Sequence, residues 1–243
     1  MGGLSSVKIL ACDGMRDNRL LWALIAGFAM FPIYTHFADL PFWNDVAMRI
    51  MLLGMAAMGL NLALGYGGMV SFGHAAFVGI GAYCVAISQV YGISNGWLHL
   101  AFAIVACGVA GLVIGYLALR TSGIYFIMIT LAFAQMLFFL FVSVAAYGGD
   151  DGMSIDRAEF GIIDLYAPLR LYFLIWACLA IVAMLLMFIV RSRFGVTLRA
   201  VKSNASRVEA MGLSPLRFKI TGYVISAVIC GIAGGLFASW QEY

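Results

Sequence analysis

Four glycines fall within nine residues, Gly65, Gly67, Gly68 and Gly73, with Ser71 among them and His74 directly after. Chain interrupted this often by glycine leaves backbone amides and carbonyls unpaired. Free amides can hold a carboxylate and free carbonyls an ammonium. The chemistry on offer is recognition of a zwitterionic solute such as an amino acid, without bond making. The segment lies inside a run, residues 50–119, that contains no Asp, Glu, Lys or Arg. Irregular backbone at membrane depth survives only where it is buried in protein or lines water. Two readings stay open. One is a translocation path that includes Gly65, Gly67, Gly68, Ser71, Gly73 and His74, joined by Gln135 from a later apolar run. The other is close helix packing through small residues, as at Gly54, Gly59, Gly79 and Gly81. His74 suits either a satisfied structural histidine or a solute contact, and interhelical hydrogen bonding alone accounts for Asn61, Gln89, Thr130, Gln135 and Ser143.

The second concentration of chemistry is cationic. Seven of the fourteen Lys and Arg residues are gathered in 191–219, between two runs, 171–190 and 220–241, that carry no charge. One such cation at a bilayer centre costs about 2.5–3.5 kcal/mol on insertion scales, so seven would cost roughly 20 kcal/mol. The stretch therefore stays in water. Within it the pattern predicts a short helix over 204–211. Ser203 or Asn204 can cap its start, Gly212 can end it in the left-handed region, and Pro215 blocks its continuation. Val208 and Met211 are three apart and would share a face able to enter a partner's groove, with Arg199, Lys202 and Arg207 around the rim and Arg193 earlier in the same loop. The alternative is a solvated basic turn that attracts anionic lipid at about 1 kcal/mol per charge.

No catalytic constellation accompanies these groups: the acidic residues all fall in connections, and no Ser/His/Asp or Cys/His set shares a depth. His36 and His99 read as interfacial, and three separated histidines do not make a metal site. The five cysteines are scattered, most of them inside apolar runs, as small buried side chains. A net charge of +3 is too small to suggest nucleic acid. Lys8, Lys202 and Lys219 are the only lysines, and none ends a G-x-x-x-x-G-K-[ST] phosphate loop. If ATP is the fuel, another subunit hydrolyses it. No span carries an acidic residue in its middle, which weighs against a secondary carrier coupled to protons or sodium; that carrier, or a channel, is the alternative.

The elements that must position these groups are membrane helices. Hydrophobic residues make up 64% of the chain, charged residues 10%, and the mean hydropathy is +1.03. This composition defines an all-α integral membrane protein, a polytopic bundle of about seven spans near 20–38, 46–64, 72–91, 97–118, 121–149, 171–190 and 220–241. Residues 1–19 form a cytoplasmic N-terminal segment and 20–243 the transmembrane domain. With 191–219 inside, 145–170 falls outside, and there five acidic residues face only Arg157 and Arg170. Counting back, the Arg120 and 65–71 turns are inside, the 92–96 and 39–45 turns outside, and the N-terminus with Lys8, Arg16 and Arg19 inside. The first apolar run is longer than a signal core and lacks a cleavage site, so it reads as an uncleaved anchor. The formal acylation match of Met1 to Ser6 is set aside, because a polytopic protein gains little from one acyl chain.

The segment from Gly65 through Phe77, continuing to Gly79-Ile80-Gly81-Ala82-Tyr83, resembles the permeases of bacterial branched-chain amino acid ABC importers, in particular the M-type permease of the high-affinity leucine/isoleucine/valine system. Further matches are Leu119 to Phe126, Gly148 to Gly152, Ser192-Arg193-Phe194-Gly195 leading into Arg199 to Lys202, Ala210-Met211-Gly212 and Gly231 to Gly235. Their order and spacing carry the likeness from about residue 45 to the end. It implies a multi-pass cytoplasmic (inner) membrane subunit without cofactors of its own. It also implies a second homologous permease, two ATP-binding subunits that use ATP and Mg, a periplasmic substrate-binding protein and surrounding lipid as partners. Arg193, Arg199, Lys202, Arg207, Val208, Met211 and Gly212 become the ATPase-coupling loop, and Asp150, Asp151 and Asp156 a landing surface for the binding protein. Urea, amide and sugar permeases resemble one another here, so the substrate within the class stays open. Two departures stand out: Ser206 replaces the Glu that many ABC importers place six residues before the loop glycine, and such permeases usually continue beyond Tyr243, which implies a chain shortened at its C-terminus.

Overall fold

The computed structural model describes residues 22–32, 35, 41–93, 95–121, 123–144, 149 and 168–241, and every regular element among them is helical. The order is α1 (Trp22–Pro32), α2 (Pro41–Asn61) running into a π-helical turn (Leu62–Tyr66), α3 (His74–Val90), α4 (Gly96–Ala118), α5 (Ile124–Ser143), α6 (Pro168–Arg191), α7 (Arg193–Ser203), α8 (Ala205–Ala210) and α9 (Pro215–Gln241). Three of the four prolines, Pro41, Pro168 and Pro215, are the first described residues of α2, α6 and α9. Proline lacks the amide that a first helical residue has no use for.

Among the described residues five helices are long and apolar enough to cross a membrane: α2 with its π turn, α4, α5, α6 and α9. The count stands at five and not the expected seven among the described residues, since α3 has 17 residues and only 22–32 of α1 are described as one run. Both remain apolar and occupy the places the sequence assigned to spans. Boundaries shift for local reasons. Asn95 Oδ1 accepts from Trp97 N at 3.1 Å and starts α4 one residue early. Pro215 stands after the break that ends α8, as expected, and itself begins α9 five residues before the uncharged run. The N-terminal segment, His36 and the 150–167 part of the acidic connection lie outside the described residues.

Helix α9 is the axis of the molecule. One buried cluster joins α2, α6 and Leu198 of α7 to Ile229, Ala233 and Leu236; a second joins α3, α4 and Phe126 of α5 to Tyr223, Ala227 and Cys230. Small residues let it serve both sides. A Cβ on Gly234 would collide with the Val78 carbonyl, and one on Gly81 with the Gly231 carbonyl, so α3 and α9 cross backbone to backbone. Gly59 also packs on α9, where an added Cβ would lie 3.0 Å from Ile229 Cγ2. The expectation of close packing fails at Gly54 and Gly79, where no described atom lies within 4 Å of the Cβ position. Helix α5 is the opposite case, burying only Phe126 and Thr130. Helix α1 is tied to α6 by Tyr172 Oη donating to Phe28 O at 2.7 Å and Trp176 Nε1 donating to Ile25 O at 2.8 Å.

Candidate functional site

The glycine segment is a helix end followed by an extended strip. The π turn closes with Gly67 N donating to Leu62 O at 3.1 Å and Met69 N to Ala63 O at 3.0 Å, while Gly68 turns the chain at φ +67°. π turns concentrate at functional sites. From Gly67 to Gly73 burial then alternates: Gly67, Met69, Ser71 and Gly73 face the protein, and Gly68, Val70 and Phe72 face outward. A two-residue period is the signature of extended chain, which here is confined to 69–72, because Gly67 and Gly73 have helical dihedrals and Gly68 is left-handed. Of the sequence-derived path residues, Gly68 lies on the outward side and Gly65 is exposed before the strip begins, whereas Gly67, Ser71, Gly73 and His74 point in.

Most inward polar groups have partners, His74 Nδ1 being a buried atom without one. Ser226 Oγ lies 2.6 Å from Gly59 O and 2.9 Å from His74 Nε2. Because a carbonyl only accepts, the Ser226 proton goes to Gly59, and His74 Nε2–H donates to Ser226. His74 is thus buried and bonded through Nε2, while its Nδ1 has no hydrogen-bond partner. Gly73 N donates to Ser71 Oγ at 3.2 Å, and Ser71 Oγ and Tyr223 Oη share a hydrogen bond at 3.3 Å. Phe72 N donates to Thr130 Oγ1 of α5 at 3.3 Å. The Tyr223 ring meets His74, Phe77 and Phe126 edge to face. Tyr223 and Ser226 escaped sequence reasoning. Their signal was two polar side chains three residues apart, hence on one face, in an uncharged run. Ser143, by contrast, bonds its own helix at Leu140 O, not a neighbouring one. His99, expected at an interface, is buried at the start of α4 and donates from Nε2 to Ile93 O at 2.7 Å, pinning the turn before it.

Two clefts, each of about 340 Å³, flank the outward side of the strip. One lies between α3 and α5, walled by Phe72, Ala75, Gly79, Tyr83 and Phe138, with Gln135 contributing its amide. The other is formed by Gly68, Val70, the α4–α5 turn at Leu119, Thr121 and Gly123, and Lys219 of α9. Gln135 therefore shares Phe72 with the strip while standing apart from Ser71 and His74.

The basic stretch is not a loop but two helices and the start of α9. Asn204 caps α8, its Oδ1 accepting from Arg207 N at 3.1 Å. Gly212, at φ +81°, ends it: Gly212 N donates to Glu209 O and Leu213 N to Val208 O, satisfying carbonyls a helix end leaves open. One expectation changes. Val208 and Met211 do not share an outward face. Val208 is 3% exposed, because α8 lies against α7 and α9, whereas the C-terminal turn carries Met211 out to 73% exposure. Arg199 and Lys202 are exposed, as a rim requires, and each also reaches main chain. Arg199 reaches Val190 O at 3.2 Å and Gly195 O at 3.4 Å, with its guanidinium 5.8 Å from the Tyr66 ring centre. Lys202 Nζ donates to Gly65 O at 2.7 Å. Arg193, Arg207, Glu209 and Met211 are exposed as well, with no main-chain tie of this kind described for their side chains.

A polytopic helical membrane protein with an extended glycine strip, held to a basic helical pair, is the class that these features define. Residues 43–243 match the family described as branched-chain amino acid transport system / permease component, and the chain belongs to that family. It is 29% identical over 224 residues to the high-affinity branched-chain amino acid transport system permease protein LivM of Salmonella typhimurium and, equally, to LivM of Escherichia coli. Those alignments take in 82% of this chain and 53% of each relative. A probable branched-chain amino acid transport permease protein, LivH of Methanocaldococcus jannaschii, is 26% identical over 205 residues, covering 79% of this chain and 64% of the relative. The chain spans about half the length of the LivM relatives. No solved structure matches it.

Proposed function

We propose that this chain is the permease subunit of an ATP-driven ABC importer that moves branched-chain amino acids across the cytoplasmic membrane. The LivM and LivH relatives are named for that transport. In this reading the chain pairs with a second permease and two ATP-binding subunits that use ATP and Mg, receives solute from a periplasmic binding protein, and keeps its N-terminus and the α7–α8 pair in the cytoplasm. The observation that carries it is the strip at 67–73. Helix α3 has 17 residues, about 25 Å at 1.5 Å per residue, short of a hydrocarbon core of about 30 Å. The extended strip makes up the difference and brings irregular backbone to membrane depth, where it lines a route for solute. The route follows Gly68, Val70 and Phe72 and the cleft with Gln135, whose apolar and aromatic walls suit an aliphatic side chain and whose amide suits a polar end.

The ATPase side of the same reading rests on Met211, Arg207 and Glu209, the outward residues of α8. Reversing Arg199 is a poor test, since it would break the corner between α6 and α7. The cleaner variant is Met211→Glu. Uptake of labelled leucine, urea and a sugar into vesicles carrying the permease with its partner subunits is measured with and without ATP. We expect ATP-dependent leucine uptake in wild type and its loss, together with loss of ATPase co-purification, in Met211→Glu. ATP-driven uptake of urea or sugar alone would change the substrate, and uptake indifferent to ATP would sink the importer.

A further inference from the structure

We infer that Lys202 is the positioning residue through which movement of the α7–α8 pair reaches the glycine strip; the inference rests on the ATP-driven reading above. Helix α7 is seated as a rigid body by Gly195, Leu198 and Val201, all buried. It meets the strip through two long side chains three residues apart and so on one face. Arg199 lies over the Tyr66 ring but is already anchored to carbonyls of its own corner. Such a face-on contact can slide. Lys202 differs in ending on main chain: Nζ donates to Gly65 O, a carbonyl in the last turn before the strip. Carbonyls there lack helical partners, and a cation is the favoured group to fill them. Its stem crosses Gly68, where a Cβ would lie 2.8 Å from Lys202 Cγ. Glycine at 68 thus serves twice, permitting φ +67° and leaving a slot for the lysine. The far end of the segment is held by Tyr223, Ser226 and Thr130. Fixed there and gripped at Gly65 and Gly68, the strip must change shape when α7 shifts, turning Val70 and Phe72 relative to the route.

The test uses the assembled transporter, with Lys202→Met and Lys202→Arg compared to wild type. Two quantities are read: solute taken up per ATP hydrolysed, and the rate at which an impermeant thiol reagent labels Val70→Cys with and without vanadate-trapped nucleotide, Val70 being 43% exposed. Lys202→Met is expected to assemble and hydrolyse ATP while uptake per ATP falls about fivefold or more, the low end of typical coupling effects. The nucleotide-dependent change in labelling should vanish with it, and Lys202→Arg, which keeps a charged donor, should restore both. If Lys202→Met does not accumulate, Lys202→Gln, too short to reach the carbonyl, is read by the same two measurements. A wild-type ratio and labelling change in the variant would overturn the role of Lys202 while leaving the importer standing. Absence of ATP-driven uptake in wild type would instead overturn the importer reading on which it rests.

Discussion

At the scale of single residues, the strip divides side chains by what they do. Those facing in hold the fold, and those facing out are the ones that the proposed route would bring to a solute. Ser226 is the clearest of the first kind, since it accepts from His74 and donates to Gly59 O within 2.9 Å in each case. Removing it strands a buried donor, which costs about 1–3 kcal/mol, whereas removing both partners together costs less than the sum. We expect Ser226→Ala to lower the thermal midpoint of the detergent-solubilised protein and Ser226→Ala with His74→Leu to recover part of the loss. Phe72 is of the second kind, 60% exposed and shared with the Gln135 cleft. Phe72→Ala should leave that midpoint near wild type and reduce uptake several-fold; the reverse pattern would place the route elsewhere. The sequence located this segment through its glycines and His74 but could not assign faces. The alternation from Gly67 to Gly73 runs through extended chain at 69–72, which composition in an apolar run does not announce, and the partners on α9 lie about 150 residues away in sequence.

At the scale of elements, the helices were legible because charge and proline mark their ends, and in lipid a continuous apolar run has no other way to satisfy its backbone. The α8 cap at Asn204 and the stop at Gly212 followed from local chemistry alone and hold in the structure. Burial of Val208 did not follow, because it depends on α8 folding back on α7 and α9, a tertiary choice that a six-residue helix does not encode. The same limit applied to the glycines: Gly54 and Gly59 look alike in sequence, yet only Gly59 has α9 against it. The consequence is a pair of opposite expectations for one kind of substitution. Gly234→Val would drive a branched side chain into the Val78 backbone at the α3–α9 crossing, and we expect it to abolish accumulation in the membrane. Gly54→Ala meets open space and should be neutral or stabilising by up to about 1 kcal/mol through helix propensity. Quantitative blotting of membrane fractions and thermal melts of the survivor distinguish the two.

At the scale of the whole molecule, the charge pattern and the fold converge on one arrangement of ends. Lys202 bonds Gly65, and Lys219, Gly68 and the α4–α5 turn at Thr121 and Gly123 line one cleft, so three connections far apart in sequence meet at a single end of the bundle. The Tyr91–Ile93 turn caps the other end of α3, about 25 Å away along its axis. Sequence assigned those three connections to the inside and this turn to the outside by counting crossings from the basic stretch, and their clustering is a check that counting alone could not supply. Carrying the seven cations of 191–219 to the other side would move each against a field worth about 2.3 kcal/mol per charge per 100 mV, in addition to their transfer cost. In the proposed reading the most expensive segment sets the orientation, and every other connection follows from it. In intact cells an impermeant thiol reagent should label Tyr91→Cys, whose parent side chain is 70% exposed, and should reach Ser206→Cys only after the membrane is opened. Labelling of both from the same side would break the count of crossings between α3 and α8, and labelling in the reversed order would invert the whole molecule and remove α8 from any cytoplasmic ATPase.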